Sequence, residues 1–154
     1  MEIRLGEIGH IIQLAIAPVF LLTGVGTNLL VLTNRLARII DRSRVLEEKL
    51  EDGTSVPPAW EEGLGEVDVL YRRARMINRA ITLSTICALL ICLVVAALFV
   101  GDALNLHFGT VIAALFVLAM VALTSSFIYL LREIFLATGF MDGQRQRLHR
   151  RLGQ

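Results

Sequence analysis

Three runs without a single Asp, Glu, Lys or Arg divide the chain: Ile11 to Thr33, Ala80 to Val100 and Phe108 to Leu131. Each is long enough to cross a bilayer, which takes roughly 20 residues of helix. Backbone amides find no water in hydrocarbon, so three such runs must be helices rather than open strands. The pattern predicts an all-α integral membrane protein with three transmembrane helices. Composition agrees: 55% of the 154 residues are hydrophobic and the mean hydropathy is +0.67, too apolar for a soluble domain of this length.

Helical signals do not stop where the first run ends. After Pro18 there is no proline and no turn cluster until Gly53-Thr54-Ser55-Val56-Pro57-Pro58, so one helix is expected to continue out of the membrane to about Asp52. Pro58, Glu61 and Glu62 then suit the opening turn of a second helix running to Val100, although Gly63 and Gly65 weaken that start. Both helices would be about 42 residues, or roughly 63 Å at the standard rise. Leu36, Ile39, Ser43, Leu46 and Leu50 recur at alternating three and four, as do Trp60, Leu64, Val67, Tyr71 and Ala74. These stripes predict a coiled-coil-like antiparallel hairpin that extends the first two membrane helices into the cytosol.

The expected organisation is an external arm (1–10), transmembrane helix 1 (11–33), a cytosolic hairpin (34–79), transmembrane helix 2 (80–100), an external turn (101–107), transmembrane helix 3 (108–131) and a basic cytosolic tail (132–154). Its orientation comes from the basic residues. Of fifteen Lys and Arg, nine fall in the hairpin segment and five in the tail, against Arg4 alone in the arm and none in the turn. The positive-inside rule then puts the N-terminus outside and the C-terminus inside, and the short loops suit a bacterial inner membrane. Glu2 and Glu7 replace the basic start of a signal peptide, so the first run is expected to be retained. Cys87 and Cys92 project about 140° apart on a helix and are not expected to pair.

Charge is segregated along the hairpin. Arg35, Arg38, Arg42, Arg44, Arg72, Arg73, Arg75 and Arg79 form a basic collar near the membrane ends, opposed by Asp41, whereas Glu47, Glu48, Glu51, Asp52, Glu61, Glu62, Glu66 and Asp68 crowd the tip around Lys49. Snorkelling and contact with anionic lipid phosphates account for such a collar, and an acidic far end avoids the same lipids.

The segments "IAPVFLLTGVGTNLLVLTNRLARIIDR" and "RRARMINRAI", followed by two hydrophobic runs, resemble the bacterial membrane-protein family catalogued as domain of unknown function 2721. Ala17-Pro18-Val19-Phe20 and Asn34-Arg35-Leu36 are the most specific parts. The resemblance implies a membrane location; it brings no activity, cofactor or catalytic residue.

The first run is the least lipid-like of the three. At 100° per residue, Gln13, Ala17, Gly24, Thr27, Asn28 and Asn34 fall within about 60° of one direction, and Arg35, Arg38 and Arg42 continue the line. Polar groups in a span are buried against protein or line water. Thr85, Ala88, Cys92 and Ala96, with Gly109, Ala113, Thr124 and Ser125, offer small faces within one subunit, but three helices shield little of so long a stripe, so a symmetric homo-oligomer is expected. Two functions follow from it. One is an ion-conducting pore lined by the first helix, with Arg35, Arg38 and Arg42 as an anion-attracting mouth. The other is a non-conducting membrane scaffold whose hairpin recruits a cytosolic protein.

An enzyme is not expected. His10, His107 and His149 stand apart and cannot hold one metal ion, Ser84, Ser125 and Ser126 lack a nearby His and acid, and Gly24-Val25-Gly26 lacks the strand and loop of a phosphate site. The tail "QRQRLHRR" is more simply a lipid contact than a nucleic-acid site.

Overall fold

The computed structural model describes the backbone of residues 5–51, 59–104 and 109–152, and side chains at 9, 12–50, 63–104 and 109–137. Among these the chain forms three helices: α1 (Leu5–Glu51), α2 (Ala59–Ala103) and α3 (Gly109–Leu152), of 47, 45 and 44 residues. The Gly53–Pro58 break lies outside the described residues, as do the carboxylates of Glu51, Asp52, Glu61 and Glu62 and the imidazoles of all three histidines. Pro18 sits inside α1 without ending it, and α3 runs on through Ile134, Phe135, Leu136 and Ala137 as one helix. All three helices are long and apolar enough to cross a membrane, over Ile12–Leu50, Gly63–Ala103 and Gly109–Ala137.

The chain divides into two compact units, each built from all three helices. The first comprises residues 1–31 and 81–126. Its core is Val25 from α1, Cys87 and Ile91 from α2, and Ala119, Ala122 and Leu123 from α3, flanked by Leu21, Leu22, Leu29, Ala88 and Leu90. The outer surface of this unit is apolar as well, with Ile16, Phe20, Leu89, Leu93 and Val117 exposed. An apolar exterior around an apolar core suits helices long and apolar enough to cross a membrane.

Residues 32–80 and 127–154 make up the second unit. Leu32, Ile39, Leu70, Ile77 and Ala80 are buried in it. The segments of α1 and α2 run antiparallel here: a Cβ on Gly63 would lie 2.9 Å from Leu50 Cδ2, while Arg35 and Arg73, at the other end, reach one shared carboxylate.

The buried face of α1 follows the expected stripe, with Ile39 and Ser43 buried and Leu36, Leu46 and Leu50 half-buried. That of α2 does not. Val67 and Ala74 are half-buried, but Leu64 and Tyr71 are exposed and the deep positions are Leu70 and Ile77. Positions 67 and 74 fit both registers, and Leu70 and Ile77, which carry no polar atom, take the interior; Tyr71 instead donates its hydroxyl to Glu47 Oε1 at 2.8 Å. The small faces shift similarly. Thr85, Cys92, Ala96, Gly109, Ala113 and Thr124 are exposed, Ala88 and Ser125 are half-buried, and Ser84, Cys87, Ala119 and Ser126 take the interior. The displaced hydroxyls satisfy themselves: Thr85, Thr124 and Ser125 donate to the carbonyls of Ile81, Met120 and Val121 at 2.9, 2.9 and 2.8 Å. A Ser or Thr bonded back to the carbonyl four residues earlier needs no partner helix.

Candidate functional site

Among the described residues each unit holds one buried polar cluster, and each cluster takes one residue from every helix. In the first unit the Asn28 side-chain amide donates to Ser84 Oγ at 2.9 Å. Ser84 Oγ lies 2.8 Å from Ser126 Oγ, so its own proton is available to that hydroxyl. Asn28 is 8% exposed and both serines are fully buried. An Asn amide carries two donors and an acceptor and cannot be met by its own helix as a hydroxyl can, which explains why α1 turns Asn28 inward and leaves Thr27 outside. Thr27 and Thr23 donate back to the carbonyls of Thr23 and Val19, at 3.1 and 3.5 Å.

The second unit is tied by charge. Glu133 on α3 is buried to 1% of its surface and accepts from two arginines. Arg73 gives two bonds to Oε1, from Nε at 2.9 Å and Nη2 at 2.7 Å; Arg35 gives one, from Nη1 to Oε2 at 3.1 Å. Burying a lone carboxylate is prohibitive, and two guanidiniums on its two oxygens make this burial tolerable. Arg42 is held separately, its Nε and Nη2 donating to Glu66 Oε1 at 3.2 and 2.7 Å on the surface.

The basic collar is thus not one uniform ring. Arg35 and Arg73 serve Glu133 and Arg42 serves Glu66. Arg38, exposed, turns its Nε to the Asn34 carbonyl at 3.4 Å. Arg72, Arg75 and Arg79 are exposed and make no hydrogen bond or ion pair with another described residue.

The polar stripe of α1 divides in the same way. Asn28 lies inside the first unit, whereas Gln13, Ala17, Gly24 and Thr27 are exposed on it, as Asn34 is on the second. Gln13, Ala17, Phe20, Gly24 and Thr27 fall at alternating spacings of four and three, forming one straight outward line. A Cβ on Gly24 would meet nothing within 4 Å.

Sequence reasoning missed Glu133 and gave Ser84 and Ser126 no structural part. A signal was present: Glu133 is the sole acid between Gly109 and Met141 and lies seven residues from Ser126, just as Arg35 lies seven from Asn28. A seven-residue step returns to nearly the same helix face.

Among the described residues no group of His, Cys, Asp and Glu is placed to hold a metal ion, and no buried side-chain nitrogen or oxygen lacks a partner. Both clusters are built as ties between helices.

A protein-family model described as "Protein of unknown function (DUF2721)" matches residues 15–142. The chain belongs to that family. The matched region takes in both clusters, from Asn28 and Arg35 to Ser126 and Glu133. No curated protein and no solved structure gives a significant match.

Proposed function

We propose that this DUF2721 protein is a multi-pass membrane scaffold, assembled from identical copies along the outer line of α1, that presents a braced helical hairpin to a cytosolic protein. The Glu133 tie carries this reading. Arg35 and Arg73, on the inner side of the hairpin, are committed to one buried carboxylate, so that side of its base is braced across all three helices. The anion-attracting mouth that a pore would need loses Arg35 to Glu133 and Arg42 to Glu66.

Self-assembly is supported by the character of the α1 outer line. Gln13, Ala17, Gly24 and Thr27 are exposed among large aliphatics, and small or polar residues on a span favour close helix approach over lipid contact. The matching face of a second copy is the simplest cover, since identical seams are self-complementary about a symmetry axis. One observation favours the alternative of a pore: Gln13 and Thr27 share that line, and around a wider axis they would face water.

The test combines mass and flux. Purified protein should run as an oligomer, Gly24→Leu should lower its stoichiometry, and wild-type oligomers in liposomes should carry no ions across a range of voltage, pH and membrane tension. Ion flux that Gln13→Leu or Thr27→Leu abolishes in intact oligomers would replace the scaffold with the pore. A wild-type monomer would reject both.

A further inference from the structure

Arg72, Arg75 and Arg79 are spaced three and four apart on α2. At 100° per residue they lie within about 60° of one another, and they cover about 10 Å of helix. All three are exposed, and none forms an ion pair or hydrogen bond with another described residue. Arg73, in the midst of this line, points the other way and is consumed by Glu133. Its arginines are therefore sorted by face, the inner one reaching the buried carboxylate of Glu133 on α3 and three cations stacked outside. The nearest acid on the outer face, Asp68, stands one turn before Arg72 and forms no ion pair with it.

Like charges at three- and four-residue spacing repel and weaken a helix unless an anion answers them. The sequence says where that anion is. Directly after Arg79 the chain loses all charge from Ala80 to Val100, so the three guanidiniums end at the level where a spanning helix leaves hydrocarbon for the headgroup layer. Arginine is suited to phosphodiester oxygens there because its planar fork donates two parallel bonds to one phosphate.

We infer that the Arg72–Arg75–Arg79 face binds the phosphate of an anionic phospholipid, fixing the depth of α2 at the membrane surface. The inference depends on α2 crossing a membrane and not on assembly through α1, so the two are tested separately. The decisive experiment exchanges wild-type protein and the triple variant Arg72→Gln/Arg75→Gln/Arg79→Gln through mixed micelles of phosphatidylglycerol and phosphatidylcholine, then weighs the retained lipid by mass spectrometry. None of the three side chains has a partner to lose among the described residues, so the variant should fold, and its oligomeric mass is recorded in the same spectrum. Enrichment of phosphatidylglycerol over phosphatidylcholine should fall on the order of a hundredfold at low salt, at roughly a fivefold loss per basic residue. The corresponding triple lysine variant should keep most of the enrichment, because it keeps the charge. Enrichment within twofold of wild type in the glutamine variant overturns the inference. So does loss of wild-type enrichment to millimolar inorganic phosphate, which would make this a site for free anions rather than for lipid.

Discussion

Replacing Glu133 by alanine should be among the most damaging single changes available in this protein. The substitution removes the carboxylate that Arg35 and Arg73 share and leaves two guanidiniums without their anion. Removing one partner of a fully buried ion pair costs about 3–5 kcal/mol. The arginine side chains retain 36% and 25% of their exposure, so both can turn partly to water or lipid phosphate, which places the cost near the lower end, about 3 kcal/mol. Glu133→Gln keeps the shape and one acceptor oxygen and should cost less, about 1–2 kcal/mol. Arg73→Gln should exceed Arg35→Gln, because Arg73 donates two bonds from the more buried position and Arg35 one. Reversible unfolding in lipid–detergent micelles, titrated with a denaturing detergent, measures all four. A double-mutant cycle between Arg73 and Glu133 then isolates their coupling. If Glu133→Ala lies within about 0.5 kcal/mol of wild type, the level of an ordinary surface change, the carboxylate is not the tie described here.

Other outcomes follow from the same geometry. Ser84→Ala should cost about 1.2 kcal/mol, two bonds at the average strength of a hydrogen bond between membrane helices, because Ser84 touches both Asn28 and Ser126; a cost near zero in the same unfolding assay would argue against the chain of bonds. Gly65→Ala should stabilise α2 by up to about 1 kcal/mol, since its Cβ meets nothing within 4 Å. Gly63→Ala should gain less, because its Cβ would lie 2.9 Å from Leu50 Cδ2 and that flexible side chain must move. Single cysteines at Gly53 and Asn105, in a background lacking Cys87 and Cys92, should label from the cytosol and the exterior respectively, and labelling of both from one side would reject the three-span arrangement.

The helices were legible because their signals are long-range and redundant. Charge-free runs of more than twenty residues, each with an arginine at or near one end, leave little freedom in lipid, and α1 and α2 differ from expectation chiefly by a few residues at their ends. The faces of the helices were harder to read. Val67 and Ala74 fit two registers of α2, and only the packing of Leu70 and Ile77 decides between them. Threonines were poor guides to the interior, because Thr27, Thr85 and Thr124 satisfy themselves against their own helices. Asn28 shares a sequence stripe with Gln13 and Thr27, but the direction of its side chain depends on a serine 56 residues away. Glu133 was hidden by its surroundings: among the arginines after the third run, one acid looks like part of a charged tail until the structure brings Arg35 and Arg73 to it.

Assembly through α1 is the claim on which the scaffold stands, and cysteine cross-linking in native membranes addresses it most directly. With Cys87 and Cys92 replaced, a single cysteine at Gly24, on the exposed line of α1, should give a covalent dimer on oxidation. One at Leu89, exposed on α2, should give little. Gly24→Cys remaining monomeric, or Leu89→Cys cross-linking equally well, would contradict assembly along α1.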